Sequence, residues 1–322
     1  MRIGLLSFLF SDRDLPGLLP YLKSRGVTAI ELYIGPLAGK NPHCDAEALL
    51  SDKEALRNYK KLLEDHGMII SALNAGGNPI HPDPDTARVH HESLLNAFKL
   101  AETLEVDRVL AFSGCPGGAP GDKTPNWVCC PWPDEYSAIL RYQWDDVLSP
   151  YWSKIAETAK SHGVDKIGLE MHPGFCVYNT ETLLKLRERA GKVIGANLDP
   201  SHLFWQGIKA DAAVEALGDA IFHVHMKDLR LNKRVVERTG VIDTKHYGDL
   251  KNRAWVFATV GYGRDAIEWK RFINALYTVG YDYVLSIEHE DSYANREEGF
   301  EKAVAFLESI VIKNPPDAMW WA

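Results

Sequence analysis

The feature that most restricts the fold of this chain is a strict alternation, repeated eight times, of short apolar runs with amphipathic stretches. The runs cover residues 3–8, 29–33, 69–75, 108–114, 166–172, 193–199, 221–228 and 283–290. Helical spacing of apolar residues fills 15–24, 52–66, 86–104, 145–162, 180–189, 210–217, 266–279 and 296–312. Several helices stop at a glycine just before the next run, as in Arg25-Gly26-Val27 and His162-Gly163-Val164, the usual left-handed stop. Strands that read as continuous apolar runs are covered on both faces, and βα alternation demands a parallel sheet. Eight such units close into a single (β/α)8 TIM barrel. An open doubly wound sheet would carry a Gly-rich phosphate loop after its first strand; here Ser7-Phe8-Leu9-Phe10-Ser11-Asp12 follows instead. The expected domain is one barrel over 1–313 with a tail at 314–322.

Composition narrows the partners. Among 322 residues, 36 Lys and Arg against 44 Asp and Glu leave a net charge of −8, which offers no footprint for nucleic acid and is repelled by an anionic membrane surface. No apolar run approaches the ~20 residues that span a bilayer. The apolar N-terminus runs into Ser11-Asp12-Arg13-Asp14 without a cleavage motif, so it reads as a buried first strand rather than a signal peptide. Five Cys, with Cys129 and Cys130 adjacent, suit reduced thiols in a cytoplasmic protein.

Two connections are far longer than the usual two to six residues. Residues 115–142 follow the fourth strand and are rich in Pro, Gly and aromatics; residues 229–264 follow the seventh. Both lie on the C-terminal face, where barrel enzymes keep their sites. Trp127, Trp132, Tyr136, Tyr142 and Trp144 make the first an aromatic lid with stacking surfaces for a sugar face or an aglycone, or simply the core of that loop. Lys227, Arg230, Lys233 and Arg234 read as a solvated basic cluster.

The last four strands end in polar residues where a barrel core should be apolar. Residues two apart share a strand face, so Glu170 with His172, Asn197 with Asp199, His223 with His225, and Glu288 with Glu290 point inward. Burying so many acids without cations is costly. Glu170, Asp199, His225 and Glu288, one per consecutive strand, converge on one point. Such a shell suits one divalent ion with open positions: Mn2+ first, with Mg2+, Co2+ or Zn2+ as alternatives.

The strand endings Leu169-Glu170, Leu198-Asp199-Pro200-Ser201-His202, His223-Val224-His225-Met226-Lys227-Asp228 and Ile287-Glu288 resemble those of the xylose-isomerase-like barrel superfamily. Gly261-Tyr262-Gly263 before Ile267-Glu268-Trp269 is also similar. The superfamily includes sugar phosphate isomerases and epimerases, ketose 3-epimerases, inosose dehydratases and isomerases, and endonuclease IV. The resemblance covers nearly the whole chain and implies that Glu170, Asp199, His225 and Glu288 are metal ligands. It implies that His202 lies near substrate and that Arg230 contacts a substrate oxygen. Endonuclease IV is disfavoured, because its zinc cluster uses histidines after strands 3 and 4. Here only His81 stands after strand 3, a residue assigned instead to substrate contact.

The activity this implies is a metal-dependent sugar isomerase or epimerase acting on a keto-sugar or polyol ketone. Glu170 and Glu288 share acid and base duty through a metal-stabilised enediolate, with His172 as a further acid or base. The alternative is a lyase that eliminates an aglycone or water from the same intermediate, for which the aromatic insertion resembles that of the catalytic subunits of C-glycoside deglycosidases. Trp127 and Trp132 then contact the substrate, and a second subunit could be required. A non-catalytic binding barrel is the remaining class; it predicts a broken metal shell, and this one is intact. The tail, with Trp320 and Trp321, suggests a homo-oligomer or a fold-back over the barrel.

Overall fold

The computed structural model of the chain describes residues 1–38, 41–314 and 317–321. Its strands are β1 (Arg2–Leu6), β2 (Ala29–Tyr33), β3 (Ile69–Asn74), β4 (Arg108–Phe112), β5 (Lys166–Glu170), β6 (Ile194–Leu198), β7 (Ile221–Met226), β8 (Asp228–Leu231), β9 (Trp255–Ala258) and β10 (Val284–Ile287). Eight of them close a parallel barrel in the order β1-β10-β7-β6-β5-β4-β3-β2, while β8 and β9 form a separate antiparallel pair. The helices are α1 (Leu15–Ser24), α2 (Ala46–Ser51), α3 (Lys53–Asp65), α4 (Pro84–Leu104), α5 (Asp134–Arg141), α6 (Ser149–Ser161), α7 (Thr180–Ala190), α8 (Pro200–Phe204), α9 (Ala210–Leu217), α10 (Lys233–Thr239), α11 (Ala266–Thr278) and α12 (Arg296–Ile310). Among the described residues, no helix is long and apolar enough to cross a membrane.

Local chemistry explains where helices begin. Asp14, Asp83, Asp265 and Asn295 each accept a backbone N–H of the first turn of α1, α4, α11 and α12, which satisfies donors the helix cannot. The helices bury one face against the outside of the barrel, where Leu18, Leu22, Phe98, Trp152, Leu186, Trp269 and Leu307 join one continuous core. Inside the barrel the pattern differs. Glu31, Ser71, Asn197, His223, His225 and Ser286 are all buried there, so the barrel axis is polar.

Two expectations about the elements need correction. The run 221–228 is not one strand: β7 ends at Met226, and Asp228 opens β8. The cause is the Asp228 carboxylate, which accepts N–H donors from Leu229, Gly261, Gly263 and Arg264 and from the Trp269 indole. That buried hub draws the chain out of the barrel ladder. The long 115–142 connection is not wholly irregular either, since it contains α5 and continues through a π-helical segment, Tyr142–Leu148, into α6. In the tail, Trp320 and Trp321 are exposed, and Pro315, Pro316 and Ala322 lie outside the described residues.

Candidate metal centre and active site

The strand ends bring four side chains to one point at the C-terminal mouth of the barrel. Glu170 closes β5, Asp199 follows β6, His225 lies in β7 and Glu288 follows β10; one ligand atom from each falls within 4.8 Å of all the others. His225 Nδ1 is 2.8 Å from Glu288 Oε2 and 3.4 Å from Glu170 Oε2. Asp199 serves two purposes. Its Oδ1 accepts from Ser201 N at 2.8 Å and caps α8, while Oδ2 faces the centre.

The cluster fits a divalent cation. Asp199 Oδ2, Glu288 Oε2 and His202 Nε2 are buried without a hydrogen-bond partner, an arrangement that costs free energy unless something else satisfies them. Lys227 Nζ, 3.2 Å from Asp199 Oδ2, makes an ion pair with it but no hydrogen bond. Glu31, Glu170, Asp199 and Glu288 put four carboxylates in or beneath the centre, and Lys227 is the only Lys or Arg among the residues lining the cavity above it. A hard divalent ion held by three carboxylates and an imidazole is the chemistry of this donor set.

Ionisation follows from these contacts. Burial opposes charge on His225, but the Glu31 and Glu288 carboxylates outweigh it and hold the imidazole well above its ordinary value. Burial also opposes charge on Lys227, and Asp199, Glu288 and Glu290 overcome it to keep the ammonium protonated. Glu288 is lowered to about 2: burial resists its ionisation, but Lys227 and His225 prevail. For His172, burial reinforced by His202 pushes the imidazole down to about 3, so it is neutral.

Above the centre opens a cavity of about 420 Å³. Phe112 forms part of one wall, with Phe175 stacked on it at 4.6 Å. Phe257 and Tyr247, stacked at 6.0 Å, come from β9 and the loop before it. His172 and His202, with ring centroids 4.0 Å apart, also line it.

Of the residues assigned to substrate, His202 faces this cavity and four do not. Trp127 packs edge-on against Tyr178 in a separate cavity between 127–145 and α7. Trp132 is 75% exposed on the surface. His81 accepts from Asp83 N and lines a third cavity beneath the 115–142 connection. Arg230 is held by Asp291 at 2.8 Å and lies over the Tyr293 ring. Nor does any residue of 115–142 line the cavity above the metal cluster; its aromatic rings come from Tyr33, Phe112 and the 229–264 connection. Lys227 also departs from the solvated cluster, being 2% exposed, whereas Lys233 and Arg234 are exposed as expected.

Sequence reasoning missed Glu31. It stands in β2, fully buried, with both carboxylate oxygens within 3.0 Å of His225 Nε2. An acid inside the otherwise apolar run Ala29-Ile30-Glu31-Leu32-Tyr33 was the available signal.

A closed parallel barrel with one acid or imidazole from each of its last four strands, gathered at its C-terminal mouth, defines the class of barrel to which the chain belongs. The chain belongs to the xylose isomerase-like TIM barrel family, whose model matches residues 19–310. It is 37% identical over 313 residues to the uncharacterized protein YfiH of Bacillus subtilis, covering 97% of this chain and 99% of that one. The fold is shared with a probable 3-DHS dehydratase, AsbF, from Bacillus anthracis, at TM-score 0.67 and 16% identity, covering 96% of this chain and 99% of that one. A D-tagatose 3-epimerase-like protein superposes at TM-score 0.62 with 21% identity over 96% of this chain and 98% of its own.

Proposed function

We propose that this protein is a divalent-metal-dependent isomerase or epimerase that removes the proton next to the carbonyl of a small polyhydroxylated ketone. The observation that carries this reading is the convergence of Glu170, Asp199, His225 and Glu288 beneath a cavity walled by aromatic rings. Glu170, Asp199, His225 and Glu288 would hold the ion, with Mn2+ favoured. A bound ion supplies Lewis-acid polarisation of a carbonyl oxygen, which acidifies the neighbouring C–H.

The chain's own residues do the rest. Phe112 and Phe257 present apolar faces on which the C–H side of a sugar packs. Glu170, with His202 Nε2 3.2 Å from its Oε1, is the base that takes the α-proton. Glu288, with Lys227 Nζ 2.8 Å from Oε1, relays a proton from that ammonium, returning it from another strand. Return to the opposite face of the same carbon gives an epimer, and return to the neighbouring carbon gives an isomer.

One observation favours a second reading. Lys227 stays charged between Glu288 and Glu290 and reaches the cavity, so it can protonate a departing hydroxyl or alkoxide. Elimination from the same deprotonated ketone then makes the protein a lyase. The neighbouring folds support both readings, one being a probable dehydratase and the other epimerase-like.

Proton NMR in D2O tests the proposal, with Mn2+-loaded protein offered free ketoses, inososes and 3-keto-glucosides. Deuterium enters one carbon beside the carbonyl, and Glu170→Gln slows that entry by about 10²-fold or more. A new stereoisomer or regioisomer marks the first reading, and loss of water or an aglycone marks the second. A Glu170→Gln variant that exchanges at the wild-type rate would contradict the assignment of the base.

A further inference from the structure

We infer that Glu31 is the positioning residue for the metal-facing histidine: by accepting the Nε2 proton of His225, it leaves Nδ1 free to face the ion. This rests on the metal reading above. The two nitrogens of the His225 ring look in different directions. Nδ1 lies toward Glu170 and Glu288, at 3.4 and 2.8 Å. Nε2 lies 3.0 and 2.9 Å from the two oxygens of Glu31.

A neutral imidazole carries one proton, and the acceptor at one nitrogen decides where it sits. Both nitrogens face carboxylates, but an ion at the centre takes the lone pair of Nδ1, and the Glu31 carboxylate then accepts the one remaining proton at Nε2. The negative charge behind the ring also makes Nδ1 a stronger ligand.

Glu31 is itself fixed. Asn74 Nδ2 donates to Oε1 at 2.7 Å and Ser286 Oγ donates to Oε2 at 2.7 Å. With the His225 bond, both oxygens are saturated and the carboxylate has no second orientation to adopt. A charge this deep is expensive, and an apolar side chain would fill the barrel axis at lower cost. The contact with His225 is what the acid provides and an apolar residue cannot. Glu31 thus ties β2, β3 and β10 to the orientation of a ligand on β7, from the side of the ring away from the ion.

The test compares wild type, Glu31→Gln and Ser286→Ala by calorimetric titration with Mn2+ and by the visible spectrum of the Co2+-loaded proteins. Glu31→Gln keeps the shape and loses the charge, so Mn2+ affinity falls by about 10- to 100-fold and the Co2+ bands shift. Ser286→Ala removes a donor that steadies Glu31 but leaves the His225 contact and the charge, so it costs clearly less affinity than Glu31→Gln. Equal affinity in Glu31→Gln and wild type overturns the inference, as does an equal loss in Ser286→Ala. Wild-type protein that takes up no Mn2+ overturns the metal reading as well, which separates the two failures. A readout independent of any variant is the long-range ¹H–¹⁵N spectrum of histidine-labelled, Zn2+-loaded protein. His225 should show the Nε2–H tautomer, and an Nδ1–H tautomer overturns the assignment.

Discussion

The ammonium of Lys227 lies within 3.2 Å of a carboxylate oxygen of each of Asp199, Glu288 and Glu290. In this position it neutralises acids and holds a proton at the cavity, and substitution can separate the charge from any proton transfer. Lys227→Met keeps the length and the packing on Phe257 but removes the N–H donors. If Lys227 protonates the leaving oxygen, deuterium exchange next to the carbonyl survives in that variant. Net elimination falls by about 10²- to 10⁴-fold, read in the same NMR assay; equal loss of both would contradict that role. Position 227 was opaque in the sequence for a physical reason. Lys227, Arg230, Lys233 and Arg234 look alike as a run of charges, and only acids from β6 and β10 make the first of them worth burying. Glu31 was opaque for a related reason, since its partner stands 194 residues further on. The convergence of Glu170, Asp199, His225 and Glu288 was legible because strand periodicity turns them inward and each stands at the C-terminal end of its run, where the strand endings carry the family resemblance.

The β8–β9 hairpin carries Phe257 into the wall of the cavity, and Asp228 anchors the hairpin. Its carboxylate takes four backbone N–H groups and the Trp269 indole, although burial raises its pKa. Gly263 must be glycine there, because a Cβ would strike the Leu229 carbonyl and Asp228 Oδ1. Asp228→Ala strands those donors and costs on the order of 2–4 kcal/mol. It should be seen as a lower urea midpoint, together with weaker protection of Phe257 from solvent. A variant as stable as wild type would mean the hairpin is held elsewhere. At this scale the strands and major helices could be read from periodicity to within a few residues, because burial on two faces leaves a strong pattern. The hairpin could not, since 229–264 mixes charges and aromatics without a period. The aromatic insertion also misled: the count of rings in 115–142 says nothing about which way they point, and Trp132 points outward.

Across the whole molecule, the unusual feature is a barrel whose axis carries acids and imidazoles in place of branched apolar side chains. From Ser71 and His223 near its middle to Glu288 at its mouth, each polar group leans on another. At the top of this column Asp199 Oδ2 and Glu288 Oε2 have charged neighbours but no hydrogen bond. Binding an ion there links folding to metal concentration, since whatever binds only the folded state stabilises it. It also links binding to pH. His225, held well above its ordinary value by Glu31 and Glu288, must give up its proton before Nδ1 can ligate. Metal affinity therefore rises as pH climbs toward that pKa and levels off above it. The most direct test of the account is a calorimetric Mn2+ titration of metal-free protein at several pH values, beside Asp199→Asn. The account predicts one ion per chain, tighter binding at higher pH, a rise in melting temperature on loading, and loss of uptake in Asp199→Asn. Failure to take up any of Mn2+, Mg2+, Co2+ or Zn2+, or undiminished binding in Asp199→Asn, would contradict it.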